Sequence, residues 1–590
     1  MEKLKKYIKY QHISYLTKAF GNCDNFVEAN VILKNLTGIN EFFDSQNSYL
    51  FFRNFLEKRI SYVSDVERRE YGDFQTPGKL TDSICSFLVK ENFCPQNIIE
   101  PTFGKGSFIL SSIKYFNSIK YVFAVEIYEK YVWETKFKIL EYFLDNPDVS
   151  KPQIFLFKQN IFEFDLNLIS GKISGSVLVL GNPPWITNSG LSLLNSDNLP
   201  KKSNLKRHNG LDAITGKGNF DIGESISLVM LKNFSSFDGG MAFLIKNSVI
   251  KNLVHDLHKF KFKISNIRTY KIDVKKYFNV SVGASLFTCK FNQLNKHIFC
   301  EVYSSLNKRF PETKFGWYKG KFVSDLEMYE NNSEYDGQSP YEWRQGVKHD
   351  GSKIFELTKN NNKYINGFGE EIDVENDLIY GLIKSSDLKK NLIDKPRKYV
   401  IITQHFIGEK TTYIKDKYPK LFNYLSKYED KINNRKSSIY KNKPKFSIFG
   451  IGNYSFKPYK VAISGLYKNP FFSLILPENN KPLMLDDTCY FLSFDELETA
   501  IFSWCILSDE EAYNLLKSIS FTDSKRPYTK DVLMRLSIDK IARDKDFDDI
   551  LLKIRTLDIS NLENINYQSW ERYLNSFQKS KVLSKQVSLF

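Results

Sequence analysis

Nowhere among its 590 residues does the chain hold an apolar run long enough to cross a bilayer, for which about 20 residues are needed. Its first residues, Met1-Glu2-Lys3-Leu4-Lys5-Lys6, lead into a mixed polar pattern that lacks the apolar segment of a secretory signal. Cysteine is scarce and scattered: seven residues, at 23, 85, 94, 289, 300, 489 and 505, with no Cys-x-x-Cys. That spacing excludes a disulfide framework and a thiolate zinc site, and it fits reduced thiols. His208 has no metal-ligand spacing, and no metal is expected. The expectation is a soluble, cytoplasmic protein with no membrane contact.

What is present supports a sizeable core. Hydrophobic residues make up 42% and aromatic residues 15%, enough to exclude a disordered chain. The length allows two or three domains. A formal net charge of +16 favours a polyanionic partner, most simply nucleic acid, although a Lys-rich background alone gives the same sign. Residues 1–70 read as helices, with Phe42, Phe43, Leu50, Phe51, Phe52 and Phe55 at mixed helical spacing. From Tyr71 to about Asn295 short apolar strands alternate with helical stretches, the pattern of a doubly wound α/β domain. The strands are expected at 97–100, 121–126, 153–157, 177–180, 241–246 and 285–291. After an irregular stretch, a further domain is expected over 340–590.

Two motifs fall at strand ends of the α/β region. Glu100-Pro101-Thr102-Phe103-Gly104-Lys105-Gly106-Ser107-Phe108 reads as a strand end, a glycine loop that lets backbone approach a ligand, and a helix start. An ordinary strand-to-helix turn looks the same. Glu126 ends the next apolar strand, where an acid binds a ribose diol in dinucleotide-type folds; the alternative is a solvated carboxylate at a helix start. No Lys-Ser/Thr pair follows the glycines, so this is not a P-loop, and a nucleoside cofactor without phosphates, such as S-adenosylmethionine, fits better. Further on, Val177-Leu178-Val179-Leu180-Gly181 reads as a buried parallel strand and runs into Asn182-Pro183-Pro184-Trp185. That string sets an amide, a rigid kink and a flat ring at the sheet's C-terminal edge, where ligands of open α/β sheets bind. It suits a planar base with an exocyclic amino group; the plainer reading is a proline turn.

In their order and content these motifs resemble the gamma class of N6-adenine DNA methyltransferases, the modification enzymes of type II restriction systems and their type IIG relatives. Gly72-Asp73-Phe74-Gln75-Thr76-Pro77 resembles the family's first motif, with Thr76 by the cofactor's methionine end. Glu100, Pro101, Gly104 and Gly106 match the main cofactor motif, Glu126 the ribose acid, and Asn160-Ile161-Phe162 the segment beside the cofactor's adenine, where the family often has Asp. Asn182, Pro183, Pro184 and Trp185 match the catalytic motif, and Phe278 aligns with an aromatic that stacks on the target base along with Trp185. The resemblance implies a Rossmann-like S-adenosylmethionine-dependent methyltransferase domain over 71–330 and an α+β target-recognition domain over 340–590. It covers 70–295 with specific motifs. Tyr418-Pro419-x-x-Phe422-x-Tyr424-Leu425 and Ser524-Lys525-Arg526-Pro527-Tyr528 look similar to target-recognition segments. The implied substrate is duplex DNA with a flipped adenine, and the implied partner is a separate restriction endonuclease.

The DNA-facing candidates are basic. Lys201, Lys202, Lys206 and Arg207 form a loop after the catalytic motif, either a phosphate clamp or a solvated loop. Gly218-Asn219-Phe220-Asp221 either shapes the pocket, as in relatives, or caps a helix at Asn219 or Asp221. From Lys431 to Pro477 there are nine Lys or Arg, Arg435 and Lys436 among them, and no Asp or Glu. Such a run suggests a polyanion alongside, with Lys525, Arg526, Lys530 and Arg535 as an extension. Three other readings compete: the methyltransferase part of a bifunctional restriction enzyme, an RNA or protein-glutamine methyltransferase, and a catalytically silent DNA-binding subunit.

Overall fold

All six expected strands form in the computed structural model, which describes residues 8–21, 23–58, 74–186, 221–260, 262–294, 297–361, 363–559, 562 and 564–587. Gly72, Asp73, the basic loop from Lys201 to His208, and Gly218-Asn219-Phe220 lie outside the described residues. The chain divides into two units, Met1–Phe322 and Val323–Phe590.

In the first unit the strands are β1 (Asn97–Glu100), β2 (Tyr121–Glu126), β3 (Gln153–Lys158), β4 (Val177–Gly181), β5 (Gly239–Lys246), β6 (Ile264–Lys271), β7 (Ala284–Phe291), β8 (Phe299–Tyr303), β9 (Thr313–Tyr318) and β10 (Lys321–Val323). They make a ten-stranded sheet in the order β10-β9-β8-β6-β7-β5-β4-β1-β2-β3. β3, β2, β1, β4 and β5 run parallel, while β7 is antiparallel to both β5 and β6. The central strands are buried along their whole length: β1 and β4 expose no residue, as expected for strands covered on both faces. β6 was not legible in the sequence. Its ladder shifts register between Ser265 and Arg268, with Asn266 at positive φ, so the two-residue alternation is broken by a bulge.

The flanking helices are α1 (Tyr10–Ala19), α2 (Phe26–Thr37), α3 (Gln46–Lys58), α4 (Gly78–Lys90), α5 (Ser107–Tyr115), α6 (Glu129–Asp145), α7 (Ile222–Phe234), α8 (Asn247–Asp256) and α9 (Val274–Phe278). The first three belong to the same unit as the sheet and share its core. Phe52 stacks on Phe137 of α6 with ring centroids 5.8 Å apart, and Phe42 meets Trp133 edge-on at 6.2 Å. Between α2 and α3 the backbone joins the sheet's edge: Ile154 N–H donates to Gly38 O and Asn40 N–H to Ile154 O, both at 2.8 Å. That pairing caps part of the β3 edge. His12, Glu141 and Asp145 bring ligand-type atoms within 4.8 Å of one another, but Lys9 Nζ already lies 2.6 Å from Asp145, which makes the group an ion-pair cluster.

The second unit holds a five-stranded and a six-stranded sheet; a helix, Leu497–Leu507, buried from Ala500 to Leu507, packs on the five-stranded sheet. Lys460 is the second residue of the strand Tyr459–Ser464, fully buried, with its Nζ 2.6 Å from Lys457 O. Burial pushes its pKa down to about 7. The unfolded chain therefore binds a proton that the folded chain declines between about pH 7 and 10.5, and this residue's cost is fully present below pH 7 and relieved as pH rises. Lys460→Met is expected to raise the urea midpoint of this unit, most at pH 7 and progressively less towards pH 10. An equal gain at both pH values contradicts the assignment.

Candidate active site

β1 and β4 are adjacent and parallel, with Ile99 opposite Val179. The chain leaves β1 towards β2 and leaves β4 towards β5 in the opposite direction, so the C-terminal ends of β1 and β4 flank the point where the winding reverses. Ligands of open α/β sheets sit at such a point. Glu100-Pro101 and Asn182-Pro183 emerge there side by side. A cleft opens at this edge, lined by Thr76, Glu100, Pro101, Gly104, Glu126, Asn160, Ile161, Asn182 and Pro184. Residues from five segments that are distant in sequence thus share one cleft. Phe74, Gln75 and Phe162, which lie within motifs named above, also line it, as do Tyr128, Tyr131, Ile222 and Ile226, to which the sequence had assigned no binding role. For Gln75 a signal existed in its place next to Thr76-Pro77. For Ile222 and Ile226 there was none, because apolar positions on a helix read as core.

The glycine loop is built by sterics. Gly104 has φ +51°, and a Cβ there would lie 2.6 Å from Gln75 Oε1, the atom that accepts from Lys105 N–H at 2.9 Å. Gly106 does not line the cleft; it caps the N-terminus of α5 at φ +71°, where a Cβ would meet Thr135 Cγ2 at 2.4 Å. Gly106→Ala adds left-handed strain of about 1–2 kcal/mol to that collision. It is expected to lower the urea midpoint of the first unit and, by displacing Gly104, to weaken nucleoside binding; an unchanged midpoint contradicts this.

Two carboxyls face the cleft in different states. Glu126, 7% exposed, accepts from Gly104 N–H at 2.8 Å and from Tyr128 N–H at 2.9 Å, one per oxygen. Those bonds hold it rigid while leaving lone pairs for hydroxyl donors. Glu100 is 2% exposed and its Oε2 has no hydrogen-bond partner. Burial, with the Glu126 charge behind it, pushes the Glu100 carboxyl well above the usual carboxylate range. Asn160 Oδ1 accepts from Phe162 N–H at 3.1 Å, so this amide shapes its own turn beside the cleft.

Asn182 is oriented by its amide nitrogen. Nδ2 donates to Phe74 O at 2.9 Å and to Thr76 Oγ1 at 3.1 Å. Phe74 O can only accept, so the flipped amide would set its oxygen against that carbonyl. Its Oδ1 is left buried and unpartnered, a condition that costs about 1–3 kcal/mol until a donor arrives. Thr76 therefore holds the catalytic-motif amide in addition to lining the cleft. Trp185 and Pro183 are buried beside the cleft and do not line it. The Trp185 indole donates to Leu244 O at 3.2 Å, and its ring packs 5.3 Å from Phe74 and 5.1 Å from Phe278. Phe278, at the end of α9, thus joins the same aromatic cluster. Asp221 caps α7 through Gly223 N–H at 3.1 Å and forms an ion pair with Lys246 at the end of β5, while Ile222 N–H donates to Ile186 O at 2.9 Å. The cap clips α7 onto the catalytic motif.

In the second unit the basic candidates divide. Arg435 donates to Ile432 O, His349 O and Ser447 O and stacks 3.6 Å from the Tyr440 ring. Arg526 binds Asp487, Arg535 binds Asp336 and Lys530 binds Glu342. Within the acid-free run, Lys445 pairs with Glu429 and Lys457 with Asp495, acids that lie outside it. Part of the run's charge is thus met by acids of the same unit. Lys436, Lys441, Lys443 and Lys525 are exposed. Tyr424 and Tyr528 are buried, their hydroxyls donating to Ile354 O and Lys468 O.

No protein-family model matches the chain. It is 38% identical over 484 residues to the type II methyltransferase M.NspV of Nostoc sp., across 82% of this chain and 99% of that protein. Among solved structures it resembles the type IIL restriction-modification enzyme MmeI in complex with DNA, with a TM-score of 0.50 and 13% identity over 98% of this chain and 76% of that one; this likeness is one of fold. With its motifs gathered at one sheet edge and a relative of this identity across 82% of its length, the chain belongs to the type II methyltransferase family.

Proposed function

We propose that the protein is a site-specific DNA methyltransferase of a restriction-modification system that transfers a methyl group from S-adenosylmethionine to N6 of adenine. The observation that carries this reading is the Asn182 amide, which lines the cleft, held by its nitrogen with its oxygen buried and unpartnered.

The residues present fit the cofactor. Glu126 offers a fixed carboxylate for a ribose diol, Gly104 gives close backbone approach, Asn160 to Phe162 supply a slot for a flat base, and Glu100 offers an unpartnered buried oxygen. When bound, S-adenosylmethionine supplies an electrophilic methyl group on a sulfonium. The protein's work is positional. An adenine amino nitrogen is a poor nucleophile because its lone pair is delocalised into the ring. Asn182 Oδ1 accepts one amino N–H and the Pro183 carbonyl accepts the other. This pair draws the nitrogen towards tetrahedral geometry and aims its lone pair at the methyl group, so that rate comes from orientation and preorganised dipoles. The target atom is hidden in a duplex, so the base leaves the stack, and the cluster of Phe74, Trp185 and Phe278 supplies aromatic surface beside Asn182. The second unit, with exposed Lys436, Lys441, Lys443 and Lys525, is assigned target recognition, and cleavage is assigned to a separate endonuclease.

Expression in a host lacking adenine methylation, followed by single-molecule sequencing of a co-resident plasmid, tests this reading. N6-methyladenine at one short motif supports it. Cytosine modification, or modified RNA with unmodified DNA, overturns it.

A further inference from the structure

Glu100 has a feature that cofactor binding alone does not require: a fully buried carboxyl oxygen with no partner, next to a second carboxylate. Its side chain lies against β4, where a Cβ on Gly181 would come 3.5 Å from Glu100 Cγ. Gly181 immediately precedes Asn182, so Glu100 occupies the side of the cleft where the amino nitrogen and the methyl donor must meet. Glu126, held by Gly104 N–H, is the neighbouring carboxylate. The titratable groups facing Glu100 are Glu126 from β2 and Cys85 from α4. The first opposes a second negative charge, and burial keeps the second a neutral thiol. From β4 the neighbour is the neutral Asn182 amide, and no Lys or Arg lines the cleft among the described residues. An unpartnered carboxylate here is costly and a carboxylic acid is not. A cation delivered into the cleft reverses that balance, because the attraction acts at short range in a poorly solvated site.

We propose that Glu100 reads the charge of the cofactor, giving up its proton to solvent when the cationic methyl donor binds and keeping it when the demethylated product binds. The inference rests on the reading that the cleft takes S-adenosylmethionine. That molecule carries one net positive charge, and S-adenosylhomocysteine carries none. Cofactor exchange is thereby coupled to one proton, and the enzyme's preference for donor over product grows with pH.

Isothermal titration calorimetry of the full-length protein at pH 7, in buffers of low and high ionisation enthalpy, measures this directly. With S-adenosylmethionine the binding enthalpy is expected to follow the buffer with a slope approaching one released proton, and affinity to rise by up to about tenfold per pH unit while free Glu100 is protonated. With S-adenosylhomocysteine the slope is expected near zero and affinity flat. Glu100→Gln is expected to bind S-adenosylmethionine with the slope gone. Equal slopes for the two ligands overturn the inference, as does a slope that survives in Glu100→Gln. If Glu100→Gln does not fold, the contrast between ligands in the unsubstituted protein decides alone. Binding of S-adenosylmethionine without buffer-dependent heat overturns only the role of Glu100. Absence of binding by either ligand overturns the cofactor reading, and the inference falls with it.

Discussion

Asn182→Ala is expected to keep S-adenosylmethionine and DNA binding and to lose roughly 10³-fold in the rate of methyl transfer, the scale seen when one preorganised polar group is removed from a reaction centre. The acceptor is built for a task that ground-state binding does not need. Phe74 O and Thr76 Oγ1 hold the amide nitrogen, so the oxygen cannot rotate away to satisfy itself, and it stays buried without a partner. Removing it takes one of two acceptors from the amino group, whose lone pair then remains in the ring. Asn182→Asp is expected to fail almost as badly, because it sets a carboxylate oxygen against the Phe74 carbonyl that fixes the orientation. Single-turnover methylation with both ligands saturating separates this from weakened binding. A loss of less than about tenfold contradicts the role given to Asn182.

Glu126→Ala is expected to weaken S-adenosylmethionine binding by about 100-fold or more. A hydrogen bond to a charged group contributes about 1.5–3 kcal/mol, and each 1.4 kcal/mol is a factor of ten; two such bonds to ribose hydroxyls suffice. The substitution also frees Gly104 N–H and Tyr128 N–H, the donors that Glu126 now accepts from, so part of the loss comes from a loosened glycine loop. Glu126→Gln separates the two effects. Its amide oxygen can keep one backbone donor, so its melting temperature is expected to fall less than that of the alanine variant while most of the affinity loss remains. Equal affinity in all three proteins contradicts the assignment of Glu126 to the ribose.

The central sheet was legible in the sequence because β1, β2, β4 and β5 are covered on both faces and read as continuous apolar runs. β6 was not, because its bulge at Ser265–Arg268 breaks the alternation. The site was legible where function puts unusual residues at strand ends: Glu100, Glu126 and Asn182 stand out against apolar strands. It was illegible where the wall is ordinary apolar helix, as at Ile222 and Ile226, or where a residue acts through backbone, as Phe74 does in accepting from Asn182. Asp221 was left between pocket element and helix cap, and the structure makes it the cap of α7 tied to Lys246. Charge showed which residues are basic but not which are engaged: in the acid-free run from Lys431 to Pro477, Arg435, Lys445, Lys457 and Lys460 meet carbonyls or acids outside the run, while Lys436, Lys441 and Lys443 are exposed. A linear count of charge does not see which acids the fold brings alongside.

The most direct test of the account is nucleoside mass spectrometry of unmodified plasmid DNA incubated with the purified protein and S-adenosylmethionine labelled in its methyl group. The account expects the label in N6-methyladenine, absent when Asn182→Ala replaces the unsubstituted protein. Label in a modified cytosine, or undiminished label with Asn182→Ala, contradicts it.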